Sequence, residues 1–212
     1  MLTYHLLPLF PPVMRFYRSY MLVDLPALLK FLPEKGRLLD VGCGTGLLDY
    51  SIAQRRPDLQ IVGIDVDTRA VELAARYNRR PNLTFEPTAL ADVQGPFDCI
   101  SFVDVMHHTQ EDEGRALLRD ASRLLSPGGR IFIKDIARSG GWFSYYYDRF
   151  ITRSDVIRLM NPNELLSAVT DGFRVVSSSQ KYRLPFPNYY VVLEPKQEEK
   201  APAAVDERSV PS

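Results

Sequence analysis

The stretch Leu38-Leu39-Asp40-Val41-Gly42-Cys43-Gly44-Thr45-Gly46 decides how this chain is read. A short apolar run of this kind reads as a strand buried on both faces, and here it ends in an acid. Three glycines at alternate positions let the backbone approach a ligand closely. The amphipathic segment Leu47 to Gln54 follows, and the start of a helix offers N–H groups that no helical carbonyl takes. Working outward, Gln60-Ile61-Val62-Gly63-Ile64-Asp65 reads as a second buried strand that also ends in a carboxylate. An acid at the tip of strand two is where a ribose is gripped through its hydroxyls.

Further along, strands and helices alternate. Strands are predicted at 37–41, 60–64, 83–86, 97–103 and 130–136, and helices at 45–56, 68–79 and 111–125. This alternation implies a parallel sheet covered on both faces. Arg56-Pro57-Asp58 and Arg80-Pro81-Asn82 mark helix ends, and Ser126-Pro127-Gly128-Gly129 reads as a tight turn before the fifth strand. Val13 to Leu32 reads as a helix that Pro26 kinks or splits. Late in the chain, Leu165 to Val169 reads as helix, and Phe173 to Tyr182 and Tyr189 to Glu194 as two strands antiparallel to one another.

Four blocks occur in a telling order: Leu39-Asp40-Val41-Gly42-Cys43-Gly44-Thr45-Gly46, Gly63-Ile64-Asp65, Phe97-Asp98-Cys99-Ile100 and Leu125-Ser126-Pro127-Gly128-Gly129-Arg130-Ile131. In them the sequence resembles the class I S-adenosylmethionine (SAM)-dependent methyltransferases over residues 35–195. The resemblance implies an α/β, Rossmann-like fold: a seven-stranded, mostly parallel sheet with an antiparallel last strand and helices on both faces. It also implies SAM as cofactor and a division into an N-terminal helical lid (1–34), a methyltransferase domain (35–195) with an acceptor-side insert (138–160), and a disordered charged tail (196–212). The turn is not the dinucleotide fingerprint: the third glycine is Gly46, and Leu47 stands where G-x-G-x-x-G needs a glycine. A nicotinamide oxidoreductase is further disfavoured because a Tyr-x-x-x-Lys pair at Tyr145 would need a lysine where Arg149 stands.

Composition fits one domain with a sizeable core: 212 residues, 45% hydrophobic and 25% charged. Lysine plus arginine equals aspartate plus glutamate, 26 each, so no global field draws the chain to nucleic acid. Cys43 and Cys99 lack a metal-ligand spacing and read as small core side chains; no metal site is expected. Neither a signal peptide nor a membrane span is legible, and the expected location is cytoplasmic.

The resemblance assigns roles residue by residue. Asp40 sits under the methionine end of SAM, where it also orders the loop. Gly42, Cys43, Gly44 and Gly46 form the cradle, and Asp65, with Val66 beside it, takes the ribose, unless Asp65 only caps the next helix, a task Asp67 can perform instead. Ala89 and Leu90 lie against the adenine, and Val103 near the methionine part. His107 and His108 are in reach of the transferring methyl, as general base or as loop-ordering residues, with Asp135 a further candidate base. Asp104, Tyr145, Tyr146 and Tyr17 are expected on the acceptor side. Tyr17 lies on the kinked N-terminal helix and the other tyrosines in the aromatic stretch Trp142 to Phe150, which predicts a small, flat or apolar acceptor. The interleaved arginines Arg15, Arg18, Arg138, Arg149 and Arg153 also suit contact with a membrane surface. The D/N-P-P-Y-type motif of nucleic-acid amino-methyltransferases is missing after strand four, where Val103-Asp104-Val105-Met106 stands. The alternatives are an RNA methyltransferase and a non-catalytic SAM-binding partner subunit.

Overall fold

The computed structural model describes residues 10–138, 158–159, 162–169, 172–181 and 187–196. Strands β1 (Gly36–Val41), β2 (Leu59–Ile64), β3 (Leu83–Glu86), β4 (Phe97–Val103) and β5 (Leu125–Ile136) pair in parallel. β6 (Phe173–Lys181) lies at the far edge, and β7 (Asn188–Pro195) inserts antiparallel between β5 and β6. The sheet therefore has seven strands in the order β3-β2-β1-β4-β5-β7-β6, the antiparallel insertion expected from the resemblance. The chain leaves β1 toward β2 on one side and returns to β4 on the other. The C-terminal ends of β1 and β4 thus form the switch point where open α/β sheets bind ligands.

Two apolar layers hold the sheet, and strand pleating assigns residues to them. Leu39, Ile100 and Ile133 face one cluster, while their neighbours Leu38, Cys99 and Phe132 face the other. All six are buried, so helices must cover both faces. α3 (Leu47–Arg55) packs Leu48 and Ile52 on one face, and α5 (Glu111–Arg123) packs Leu118 and Ala121 on the other. α4 (Thr68–Tyr77) buries Ala70, Val71 and Ala74. The short α6 (Pro162–Val169) buries Leu165 in the layer of Leu39, Ile100 and Ile133, the core shared with α5.

Two expectations are corrected. The N-terminal helix is broken into α1 (Pro11–Phe16), a π-helical stretch (Tyr17–Leu22) and α2 (Leu25–Leu28). The break falls at Asp24 rather than Pro26: Asp24 adopts φ 57° and its side chain accepts from the Ala27 N–H, while Pro26 sits comfortably in the first turn of α2. The fifth strand begins at Leu125, five residues early, and α5 ends at Arg123. Phe97 already pairs with Leu125 before the register shifts to Cys99 with Arg130, so Ser126 to Gly129 is a bulge inside the strand rather than a separate turn. The aromatic stretch 142–150 and the tail 197–212 lie outside the described residues, and so do Tyr145 and Tyr146. Among the described residues no helix is long and apolar enough to cross a membrane.

Candidate functional site

The glycine turn leaves β1 and enters α3 through backbone conformations that side chains resist. Gly42, Gly44 and Gly46 have φ of 76°, 56° and 68°. At Gly46 a Cβ would collide with the Phe85 ring, so the turn is packed tightly from below. At Gly44 a Cβ would meet nothing within 4 Å, so the crest of the loop faces open space. The loop is tied to β2 from both sides: the Gly42 and Cys43 N–H groups donate to the Ile64 carbonyl at 2.8 and 3.0 Å.

Asp65 completes this arrangement. Its Oδ2 accepts from the Gly44 N–H at 2.8 Å and its Oδ1 from the Asp67 N–H at 2.9 Å. It does not cap α4; Asp67 does, accepting from the Arg69 and Ala70 N–H groups at 3.0 and 3.1 Å. Val66 follows, 78% exposed, an apolar side chain held in solvent beside the loop crest. Asp40 lies beneath, 3% exposed, with the Ser101 hydroxyl donating to its Oδ1. Burial pushes the Asp40 carboxyl up to about 6 despite that hydrogen bond. Burial, with Asp49, Asp40 and Asp65 adding to it, pushes the Cys43 thiol up as well; at Cys99 burial raises it to about 12. Neither sulfur is a nucleophile at neutral pH.

Other predicted residues sit differently. The Leu90 side chain is buried in the core, leaving the exposed Ala89 beyond β3 as the apolar side chain of that loop that meets solvent. Val103 likewise turns its side chain into the core, and its carbonyl accepts from Arg18 at 3.4 Å. The strand pleat and the turn after β3 aim both apolar side chains inward, so what these two positions offer at the strand ends is backbone.

Asp104 is committed to an ion network. It adopts φ 60° and bridges the Arg18 guanidinium (2.6 Å) and the Lys134 ammonium (2.5 Å). Burial would raise its carboxyl, but Lys134 and then Arg18 outweigh this and hold it well below the usual carboxylate range. Lys134 is 1% exposed; burial lowers its ammonium and Asp104 works against that. This network latches the N-terminal segment over the ends of β4 and β5. Arg15 reinforces the latch on the other side, donating to Asn78 Oδ1 at 2.6 Å and stacking 3.8 Å from the Tyr50 ring, while Asn78 holds the Thr45 carbonyl at 2.8 Å. On the outer face of this segment Phe10, Val13, Phe16 and Tyr17 are exposed.

The expected histidines occupy a 3₁₀ turn, Met106–His108, just beyond β4. His107 is buried, and Asp135 binds it twice: Oδ1 lies 2.5 Å from Nδ1, and Oδ2 accepts its backbone N–H at 2.9 Å. This double contact fixes the ring orientation, with Nδ1 toward Asp135 and Nε2 on the opposite side of the ring. His108 stacks beside it, ring centroids 3.8 Å apart, and is half-buried. Two residues that the sequence did not single out, Lys134 and Asp49, are buried at this edge; only their placement at the switch point gives them meaning. A groove of about 800 Å³ lined by Ser126, Gly128, Arg174 and Lys196 lies at the opposite ends of the strands, remote from all of these groups.

A family profile described as a methyltransferase domain matches residues 14–178, most of the chain. The chain therefore belongs to the methyltransferase-domain family, within the class I SAM-dependent methyltransferases. The ubiquinone biosynthesis O-methyltransferase of Xanthomonas oryzae pv. oryzae is 30% identical over 114 residues, covering 51% of this chain and 46% of that protein. Ribosomal RNA small subunit methyltransferase C of Escherichia coli is 35% identical over 106 residues, covering 47% and 31%. The chain thus spans less than half the length of these relatives. Among solved structures, magnesium protoporphyrin IX methyltransferase from Synechocystis, with S-adenosylhomocysteine (SAH) bound, superposes with a TM-score of 0.62 at 18% identity, covering 81% of this chain and 78% of that one. At that identity the likeness is one of fold.

Proposed function

We propose that the chain transfers a methyl group from SAM to a small, apolar or aromatic acceptor, and that the acceptor atom is a hydroxyl oxygen. The observation that carries the reading is the Asp65–Gly44 hydrogen bond beside an open loop crest. It presents a carboxylate beside a glycine backbone that no side chain covers, at adjacent strand tips, as a nucleoside requires. The residues fit the cofactor: the Gly42–Gly46 turn would cradle it, Asp40 would lie under its ammonium, Asp65 would take the ribose hydroxyls, and Val66 and Ala89 would flank the adenine. When bound, the cofactor supplies a methyl group activated by its sulfonium. The protein's part is alignment and exclusion of water, and His107, oriented by Asp135, accepts the acceptor's proton through Nε2.

Two observations support an apolar acceptor: the exposed Phe10, Val13, Phe16 and Tyr17 on the latched segment, and the O-methyltransferase relative named for ubiquinone biosynthesis. An RNA acceptor is the second reading, favoured by the ribosomal RNA relative alone; the formal net charge of +0 gives it no electrostatic support.

Calorimetric titration with SAM, SAH and NADH tests the cofactor. Micromolar binding of both adenosyl ligands is expected. Asp65→Ala should weaken it about 100-fold, as the loss of charge-assisted hydrogen bonds of about 1.5–3 kcal/mol each implies. Binding of NADH alone would overturn the reading. Turnover that depends on added RNA, with none on quinol-like or phenolic acceptors, would replace the proposed acceptor.

A further inference from the structure

The first turn of α3 buries a second acid beneath the glycine loop. Asp49 is 0% exposed, between Leu48 and Tyr50 on a helix that also buries Leu47, Leu48, Ile52 and Ala53. Its carboxyl faces that of Asp40 on β1, and neither of its oxygens has a hydrogen-bond partner among the described residues. Two ionised carboxylates have only acceptors to offer each other, so this contact requires a proton between them. Repulsion between like charges out of water enforces the same result. The Ser101 hydroxyl donates to Asp40 and favours its ionised form, so the proton of the pair resides on Asp49.

The surroundings do not otherwise neutralise the pair. Asp65 faces it from β2, and the Cys43 and Cys99 thiols face it from the loop and from β4. Arg18, already engaged with Asp104 and Val103, is the cation nearest to it from the N-terminal segment. Lys134 is paired with Asp104 beyond Arg18. A ligand that brings positive charge to the loop would therefore meet an acid pair carrying one charge and one removable proton.

We propose that the Asp40–Asp49 pair keeps one proton in the ligand-free protein and loses it to solvent when a cationic cofactor seats over the glycine loop. This rests on the reading of SAM as cofactor. The change is the conversion of the Asp49 carboxyl to a carboxylate plus a solvent proton, with the ligand's ammonium and sulfonium replacing the lost positive charge. SAH keeps the ammonium but lacks the sulfonium charge, so it displaces less of the proton. Asp49 is then a positioning residue that makes the preference for SAM over SAH grow as pH rises. Burial, which lifts both carboxyls above the usual carboxylate range, moves this release upward in pH.

The test is calorimetry of SAM and SAH binding at pH 7 in two buffers of different ionisation enthalpy, repeated across pH. For the natural protein the SAM enthalpy should depend on the buffer, showing release of a substantial fraction of one proton, with a smaller release for SAH. SAM affinity should rise with pH by up to tenfold per unit. In Asp49→Asn the side chain keeps its size and polarity but cannot titrate, so the buffer dependence and the pH slope should both vanish while binding persists. Infrared difference spectra of the natural protein give a readout independent of any variant: a protonated-carboxyl band should disappear on adding SAM. SAM binding with no proton release, or release undiminished in Asp49→Asn, overturns this inference and leaves the cofactor reading intact. Absence of SAM binding in every buffer overturns both.

Discussion

The glycine-loop half of the site and the histidine half meet at the same edge of the sheet but are held together differently. From Gly42 to Asp65 every contact has a backbone N–H as its donor: Gly42 and Cys43 to the Ile64 carbonyl, Gly44 and Asp67 to the Asp65 carboxylate. From Asp104 to Asp135 they are side-chain contacts between residues that lie far apart in sequence: the Arg18–Asp104 and Asp104–Lys134 ion pairs and the His107–Asp135 hydrogen bond. Backbone hydrogen bonds depend little on residue identity, so the first half can be recognised by pattern. Side-chain networks depend wholly on identity, so the second half is where this chain sets its own chemistry and where substitution has the larger effects.

The largest expected effect is at the His107–Asp135 pair. His107→Ala should lower kcat by about 10²–10⁴ with SAM affinity unchanged, the range for a positioned acid–base group. Asp135→Asn should lower kcat and shift the lower limb of the kcat–pH profile, because the ring loses the carboxylate that sets its tautomer. Equal loss of SAM binding in both variants would make the pair a loop clamp instead of a base.

Next is Asp104→Asn, which strands Lys134 in the core. Breaking a buried pair of this kind costs about 3–5 kcal/mol, read by urea unfolding, and adding Lys134→Met should recover part of it. The pH dependence has a definite sign. The folded carboxyl of Asp104 lies below its unfolded value, so its stabilisation is fully present above about pH 4 and is lost as pH falls through the lower folded value. The stability gap between the natural protein and Asp104→Asn should therefore narrow on acidification below about pH 4. A gap that is constant with pH would show that the latch is not electrostatic.

The smallest is Asp67→Ala, which removes the α4 cap. About 1 kcal/mol of stability should be lost while SAM affinity stays within about twofold. This sharpens the contrast with its neighbour Asp65, for which affinity is the sensitive readout. A large affinity loss at Asp67 would mean that the two acids act as a unit.

Much of this was legible in the chain itself. The pattern of Leu38 to Gly46 and of Gln60 to Asp65 is local, and local patterns specify strands, a left-handed turn and the acids at the strand tips. The same logic failed where partners are distant. The β5 bulge depends on pairing with Phe97, twenty-eight residues before Leu125, and no turn residue in Ser126 to Gly129 distinguishes a bulge from a loop. Asp104 read as an acceptor contact because nothing near it in sequence announces Arg18 or Lys134, which lie 86 and 30 positions away.

The sequence by itself determined the family, the strands that flank the glycine turn and the acids at their tips, because these follow from residue type at short spacing. Tertiary structure alone decided that Asp104 is spent on a latch, that His107 is oriented by Asp135, and that Asp49 is a buried partner of Asp40. Charge and protonation depend on what surrounds a group once water is excluded, and that is set by the packing of elements far apart along the chain.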